Sequence, residues 1–324
     1  MYRTAIPISR ISAFIAHLKP SSTYIRKPPH LHPHPVSHSY KPLMTMAWRS
    51  SGTSNEELVE NLWRNKLITD PVVKSAFLKV DRAHYAPSFP YEDSPQPIGH
   101  NATISAPHMH ANAVETLLPF LLPKVDSSDS EDESQNTKKK IIIGQPGRPR
   151  RVLDIGSGSG YLTHVLAELV GETGVVVGLE HIPELKELGE RNMAKSKEGR
   201  ELLASGRVRF RVGDGRKGWV EPSPTEAQPG VGGPADADAG APTKQREEEG
   251  GWDAIHVGAA AEELHEELVQ QLRSPGRMFI PVESMRKLWE QYIWTVDKDE
   301  KGNVKKEKLY GVRYVPLTDA PQRR

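Results

Sequence analysis

Apolar side chains recur at helical spacing in the first part of the chain and as short runs in the second. Leu58, Leu62 and Trp63 follow Ser54-Asn55-Glu56-Glu57, a capping box in which the Ser54 hydroxyl accepts from the Glu57 amide while the Glu57 side chain reaches back. Asp70-Pro71 opens a second helix, because proline at the first helical position forfeits no hydrogen bond. Val72, Val73, Ala76, Phe77 and Val80 are its apolar set. A third helix is predicted over roughly His110 to Leu122. Beyond residue 150, apolar runs predict strands at Arg151–Ile155, Val175–Glu180, Val208–Val212, Ala254–Val257 and Arg277–Val282. Helices are predicted between them, through Leu169, after Pro183 and from Ala261 to Leu272. Two more strands, Gln291–Val296 and Lys308–Val315, close the pattern. Alternating strands and helices imply an α/β fold, a mostly parallel central sheet with helices on both faces.

Three segments break this order. Residues 1–45 contain no Asp or Glu, several Arg and Lys, many Ser, and the run His30-Leu31-His32-Pro33-His34. A basic, acid-free start fits a mitochondrial transit peptide and equally a disordered extension. The cytoplasm is the expected compartment and the mitochondrion the alternative. Prolines between the imidazoles prevent a regular facing geometry, so the His run is not read as a metal site. Residues of about 124–149 hold an acidic serine cluster from Asp126 to Glu133, then Lys138-Lys139-Lys140; residues of about 221–250 are rich in Pro, Gly, Ala and Glu. Neither carries enough apolar side chains to offset its ordering entropy. Both are expected to be disordered insertions in one domain spanning 46–324.

Composition narrows the chemistry. The apolar share of 36% is low, as three polar segments diluting a normal core would make it. Lys and Arg total 43 against 42 for Asp and Glu, which leaves no global field to draw in nucleic acid or an acidic membrane. The chain has no cysteine, which excludes disulfides, thiolate metal sites and a catalytic thiol. Methyl transfer to pyrimidine C5 through a cysteine is excluded with them. No apolar run is long enough to span a bilayer, so a soluble protein is expected. His108-x-His110 offers no third ligand, and no metal is predicted.

The most informative run is Val152-Leu153-Asp154-Ile155-Gly156-Ser157-Gly158-Ser159-Gly160-Tyr161. A strand ends, a glycine-rich turn follows, and a helix begins. Glycines allow positive φ and let a ligand approach the backbone. A dinucleotide fingerprint needs glycine at 161, where Tyr161 stands; the third glycine comes one residue early. Glu180 ends the next strand, where a carboxylate can accept from both ribose hydroxyls. Val212-Gly213-Asp214-Gly215-Arg216 closes the third strand in a tight Asp-Gly turn.

G-x-G-x-G after an acidic residue resembles motif I of the class I methyltransferases, which have a Rossmann-like fold. The run from Asp93 through Ile98-Gly99-His100-Asn101-Ala102-Thr103-Ile104-Ser105-Ala106-Pro107-His108-Met109-His110 to Ala111 resembles the signature of protein-L-isoaspartate (D-aspartate) O-methyltransferases. So do Asp81-Arg82 with His84-Tyr85, Asp253 to Ala260, and Tyr314-Val315-Pro316-Leu317-Thr318-Asp319. Met46-Ala47-Trp48 looks like the start of animal members, which marks residues 1–45 as an added piece. The resemblance covers 46–319 apart from the two insertions. It departs at Pro281-Val282-Glu283, where the family has Pro-Val-Gly, and in the loop before Trp289.

The resemblance implies S-adenosyl-L-methionine as cofactor, with S-adenosyl-L-homocysteine as its product. Ser105 matches the family's active-site serine. Ala102, Thr103, Ile104, Ser105 and His110 match positions lining the cofactor and substrate pocket. Asp154, Gly156, Gly158 and Gly160 belong to the cofactor turn, with Ser157 or Ser159 against the methionine part. Glu180 would hold ribose, Asp214 and the Gly215 amide the adenine, and Thr318 matches a position beside the cofactor. The implied substrates are damaged proteins and peptides with L-isoaspartyl or D-aspartyl residues, taken by a monomer without nucleic acid or membrane. An isoaspartyl α-carboxylate, with a reference pKa of about 3.5, is already an anion and needs no general base. Ser105 is therefore read as a hydrogen-bond donor, not a nucleophile. Two alternatives stand beside this reading: a class I methyltransferase acting on RNA or a small molecule, and a cofactor-binding protein without catalysis.

Overall fold

The computed structural model describes residues 50–123, 148–221, 250–284 and 290–317. Thr318, residues 1–45, the loop before Trp289 and all but the borders of both insertions lie outside the described residues. Helix α1 (Asn55–Arg64) starts behind Ser54, whose hydroxyl accepts from the Glu57 amide at 3.2 Å. The Glu57 carboxylate reaches one residue further back than the box predicts. It accepts from the Thr53 amide and hydroxyl at 2.8 and 2.6 Å. Helix α2 (Pro71–Lys79) follows an Asp70 cap. A hairpin of β1 (Gln96–Gly99) and β2 (Ala102–Ile104) comes next, and then α3 (Pro107–Leu121), which starts before His110 because proline seeds its first turn.

The alternating half runs β3 (Arg151–Ile155), α4 (Tyr161–Ala167), β4 (Val175–Glu180), α5 (Pro183–Met193), α6 (Lys197–Ala204), β5 (Val208–Val212) and β6 (Trp252–Val257). Helix α7 is confined to Glu266–Gln271. The predicted helix from Ala261 is shorter because Ala261 is drawn into a bridge with Val282. Strand β7 (Leu272–Glu283) is longer than its apolar run, and β8 (Gln291–Lys298) and β9 (Val304–Val312) complete the sheet. The order is β5-β4-β3-β6-β7-β8-β9: parallel from β5 to β7, antiparallel from β7 to β9.

Strand pleating divides the core. Val152, Val176, Ala254 and Phe279 face a cluster built with α1 to α5. Their neighbours Leu153, Val177, Ile255 and Met278 face a smaller cluster that includes Leu268 and Val269 of α7. Asp253 ties the base of the sheet together. One carboxylate oxygen meets Arg148 and Arg150 at 3.0 and 3.4 Å; the other accepts from the Arg151 amide and Arg273 at 2.8 and 2.6 Å.

Candidate active site

Strand β3 has β4 on one side and β6 on the other, so chain connections leave it in opposite directions and open a crevice at its C-terminal end. The turn after Ile155 lies in that crevice. Gly156, Gly158 and Gly160 have φ of 73, 51 and 85°, the left-handed region that side chains disfavour. The Gly156 and Ser157 amides donate to the Leu179 carbonyl, which anchors the turn to β4. A Cβ on Gly160 would lie 3.0 Å from the Gly189 Cα, so this glycine also lets α4 approach α5.

Two adjoining chambers share Thr103, Gly156, Gly158 and Gly258 as a common wall. The larger is bounded by Ala102, Glu180, Gly215 and Leu317. The smaller is bounded by Ile104, Ser105, His110, Asp154, Ser157 and Ser159. The β1–β2 hairpin and the start of α3 therefore carry the residues around Ser105 onto the glycine turn. In the sequence that run shows no periodicity and reads as a loop.

Glu180 is preorganised. Its carboxylate accepts from the Gly158 amide at 3.0 Å, the His181 amide at 2.8 Å and the Ile182 amide at 3.2 Å; the His181 ring lies at 2.9 Å. Burial alone would raise its pKa. Hydrogen bonds from His181, Gly158 and Ile182 outweigh that and hold it below the ordinary glutamate value. The group is an anion with a fixed rotamer at the edge of the larger chamber.

Asp214 and Asp154 are held differently from Glu180. Gly213 and Gly215 line the larger chamber, while the Asp214 carboxylate accepts from Arg216 at 2.9 and 2.8 Å. The Arg216 hydrogen bond lowers its pKa. Asp154 borders the smaller chamber, but Thr163 and His256 engage its two oxygens at 2.6 and 2.8 Å. It acts on the chamber by holding His256 and the start of α4.

His256 and Arg82 lie within family-like motifs of the sequence but have no role predicted from it. His256 borders the smaller chamber, stacked on Phe279 with ring centroids 6.0 Å apart. Arg82 lies behind the chamber wall and donates to the Ser105 carbonyl at 2.7 Å. An apolar strand containing one histidine was a usable signal for the first. Nothing local distinguishes the second from a surface arginine.

A bound S-adenosyl ligand fits these residues. The Ser157 hydroxyl is buried on the smaller chamber without a hydrogen-bond partner among the described residues, an orphan that a ligand group would satisfy. Space above Gly156 is open: a Cβ there would meet nothing nearer than 3.7 Å. A dinucleotide site is disfavoured by Tyr161, whose ring is buried where the pyrophosphate fingerprint needs glycine. Sheet order, crevice and turn thus define a class I S-adenosylmethionine-dependent methyltransferase.

The comparisons fix the family within that class. The sequence pattern of "Protein-L-isoaspartate(D-aspartate) O-methyltransferase (PCMT)" matches residues 53–127, 146–234 and 238–322. The chain belongs to that family. It is 38% identical over 273 residues to a Caenorhabditis elegans protein-L-isoaspartate O-methyltransferase, covering 84% of this chain and 96% of the relative. Identity to the Triticum aestivum protein of the same name is 37% over 278 residues, covering 85% and 96%. A crystal structure described as a Plasmodium falciparum protein-L-isoaspartate O-methyltransferase in complex with S-adenosyl-L-homocysteine superposes with a TM-score of 0.60 at 29% identity. The match covers 82% of this chain and 99% of that one.

Proposed function

We propose that this enzyme moves a methyl group from S-adenosylmethionine to the free α-carboxylate of L-isoaspartyl and D-aspartyl residues in damaged proteins, with Ser105 holding the carboxylate. The observation that carries the reading is the smaller chamber, which sets Ser105 and His110 against the glycine turn and its orphan Ser157 hydroxyl. When bound, the cofactor supplies a sulfonium-activated methyl group. Glu180 would hold its ribose, the Gly156–Gly160 turn and Ser157 its amino-acid part, and Gly213 and Gly215 would wall its base. His110 is neutral, because burial and the nearby Arg82 push its pKa well below the ordinary histidine value.

The attacking carboxylate is already ionised, so the protein's task is alignment and exclusion of water rather than proton abstraction. The ester formed by this family collapses to a succinimide, which begins repair. Labelled cofactor with an isoaspartyl peptide, beside the same peptide with ordinary aspartate, tests the reading. Label in the isoaspartyl peptide alone is expected; label in neither, or equally in both, rejects it. No helix among the described residues is long and apolar enough to cross a membrane. The reading includes a monomer acting in the cytoplasm, with mitochondrial import through residues 1–45 as the alternative. Light scattering and imaging of fusions with and without residues 1–45 test these two parts.

A further inference from the structure

Arg82 is fully buried and meets no carboxylate within ion-pair distance among the described residues. The other deeply buried arginines, Arg150 and Arg273, both face Asp253. Arg82 instead donates to the Ser105 carbonyl at 2.7 Å, points a second nitrogen at His110 Nδ1 3.4 Å away, and lies over the Tyr161 ring at 5.0 Å. Tyr161 and Asp93 also act on its charge; one Asp93 oxygen is engaged by the His108 amide and ring at 2.9 and 2.8 Å, and the other is buried without a hydrogen-bond partner among the described residues. Burial lowers the Arg82 pKa only to about 10, so the guanidinium keeps its charge at neutral pH. A buried cation with no carboxylate in direct contact is costly, and such groups gather where a ligand completes the balance.

A guanidinium can only donate. The His110 Nδ1 that faces it therefore presents a lone pair, and the ring proton sits on Nε2. The ring also borders the smaller chamber, as does Ser105.

We propose that Arg82 is the positioning residue for carboxylate recognition: it fixes His110 as the Nε2–H donor, braces Ser105 from behind, and gives the chamber the positive potential that an isoaspartyl carboxylate balances. This inference rests on the isoaspartyl reading above. It also makes a kinetic statement. The carboxylate loses its charge as the methyl group moves onto it, so a fixed cation favours the bound anion over the transition state. Arg82 then lowers the peptide KM, and its removal leaves kcat unchanged or somewhat higher.

The test uses the full chain with Arg82→Gln and Arg82→Lys. Expected for Arg82→Gln is a peptide KM raised roughly tenfold or more, kcat within about threefold, and S-adenosylhomocysteine affinity by calorimetry within about threefold. Arg82→Lys should recover most of the KM. An unchanged KM, or a loss of S-adenosylhomocysteine affinity in step with KM, overturns the proposal. A second measurement needs no variant and decides the matter even where Arg82→Gln does not fold. The ¹⁵N shifts of His110 in the unaltered protein should show a protonated Nε2 and a bare Nδ1; the reverse overturns the proposal. Failure of the isoaspartyl reading is distinguishable, because the unaltered enzyme would then leave the isoaspartyl peptide unlabelled.

Discussion

Glu180→Gln isolates the charge at the rim of the larger chamber with little change in shape. The carboxylate accepts three backbone amides within 3.2 Å and retains lone pairs for a ribose. A hydrogen bond to a charged group contributes about 1.5–3 kcal/mol, and a glutamine keeps one acceptor oxygen of the two. Losing one such bond to the cofactor, at about 2 kcal/mol, corresponds to roughly a 30-fold rise in Kd, since about 1.4 kcal/mol is tenfold. Calorimetry with S-adenosylhomocysteine measures this directly, and kcat at saturating cofactor should change far less. The pH dependence has a definite sign. Because the folded-state pKa of Glu180 is depressed, its contribution is fully present above the ordinary glutamate value near 4.5 and is lost only as pH falls through the lower folded value. Affinity in the unaltered enzyme should therefore stay flat from pH 8 down to about 5 as far as this group is concerned. A Kd within threefold of wild type would refute the assignment of Glu180 to the cofactor.

Two further outcomes probe the substrate side and the scaffold. Ser105→Ala should lower kcat/KM for an isoaspartyl peptide by roughly a hundredfold, the range for losing a donor aimed at a reacting group, with S-adenosylhomocysteine affinity nearly intact; loss of cofactor affinity instead assigns Ser105 to the other ligand. Asp253→Ala removes the only carboxylate that Arg148, Arg150 and Arg273 are seen to share among the described residues, and should cost about 3–5 kcal/mol in denaturant unfolding. A cost below 1 kcal/mol would mean the cluster relaxes into water.

Local signals were legible where neighbours in sequence decide the geometry. Ser54 and Asp70 cap the helices they precede, and the apolar runs from Val152 to Val212 are strands. The turn that needed glycine has it at all three positive-φ positions. The β1–β2 hairpin was not legible, because its two-residue turn uses His100 and Asn101 at φ of 52 and 58° rather than the Asn-Gly pair that announces such turns. The capping box held in outline, yet Glu57 chose the Thr53 hydroxyl over the Ser54 amide, a second donor within reach that the motif does not include.

What the sequence determined by itself was therefore the succession of strands and helices, the cofactor turn and, through the motif around Ser105, the family. Tertiary structure alone decided which of those residues meet. Asp154 and His256 are 102 positions apart and become partners only because β6 pairs with β3 in that register. Arg82 and Ser105 are joined only once α3 and the hairpin fold over the glycine turn. Periodicity and capping are interactions between near neighbours, so one strand of text contains them. The charge behind Ser105 depends on strand order and burial, which no local pattern encodes.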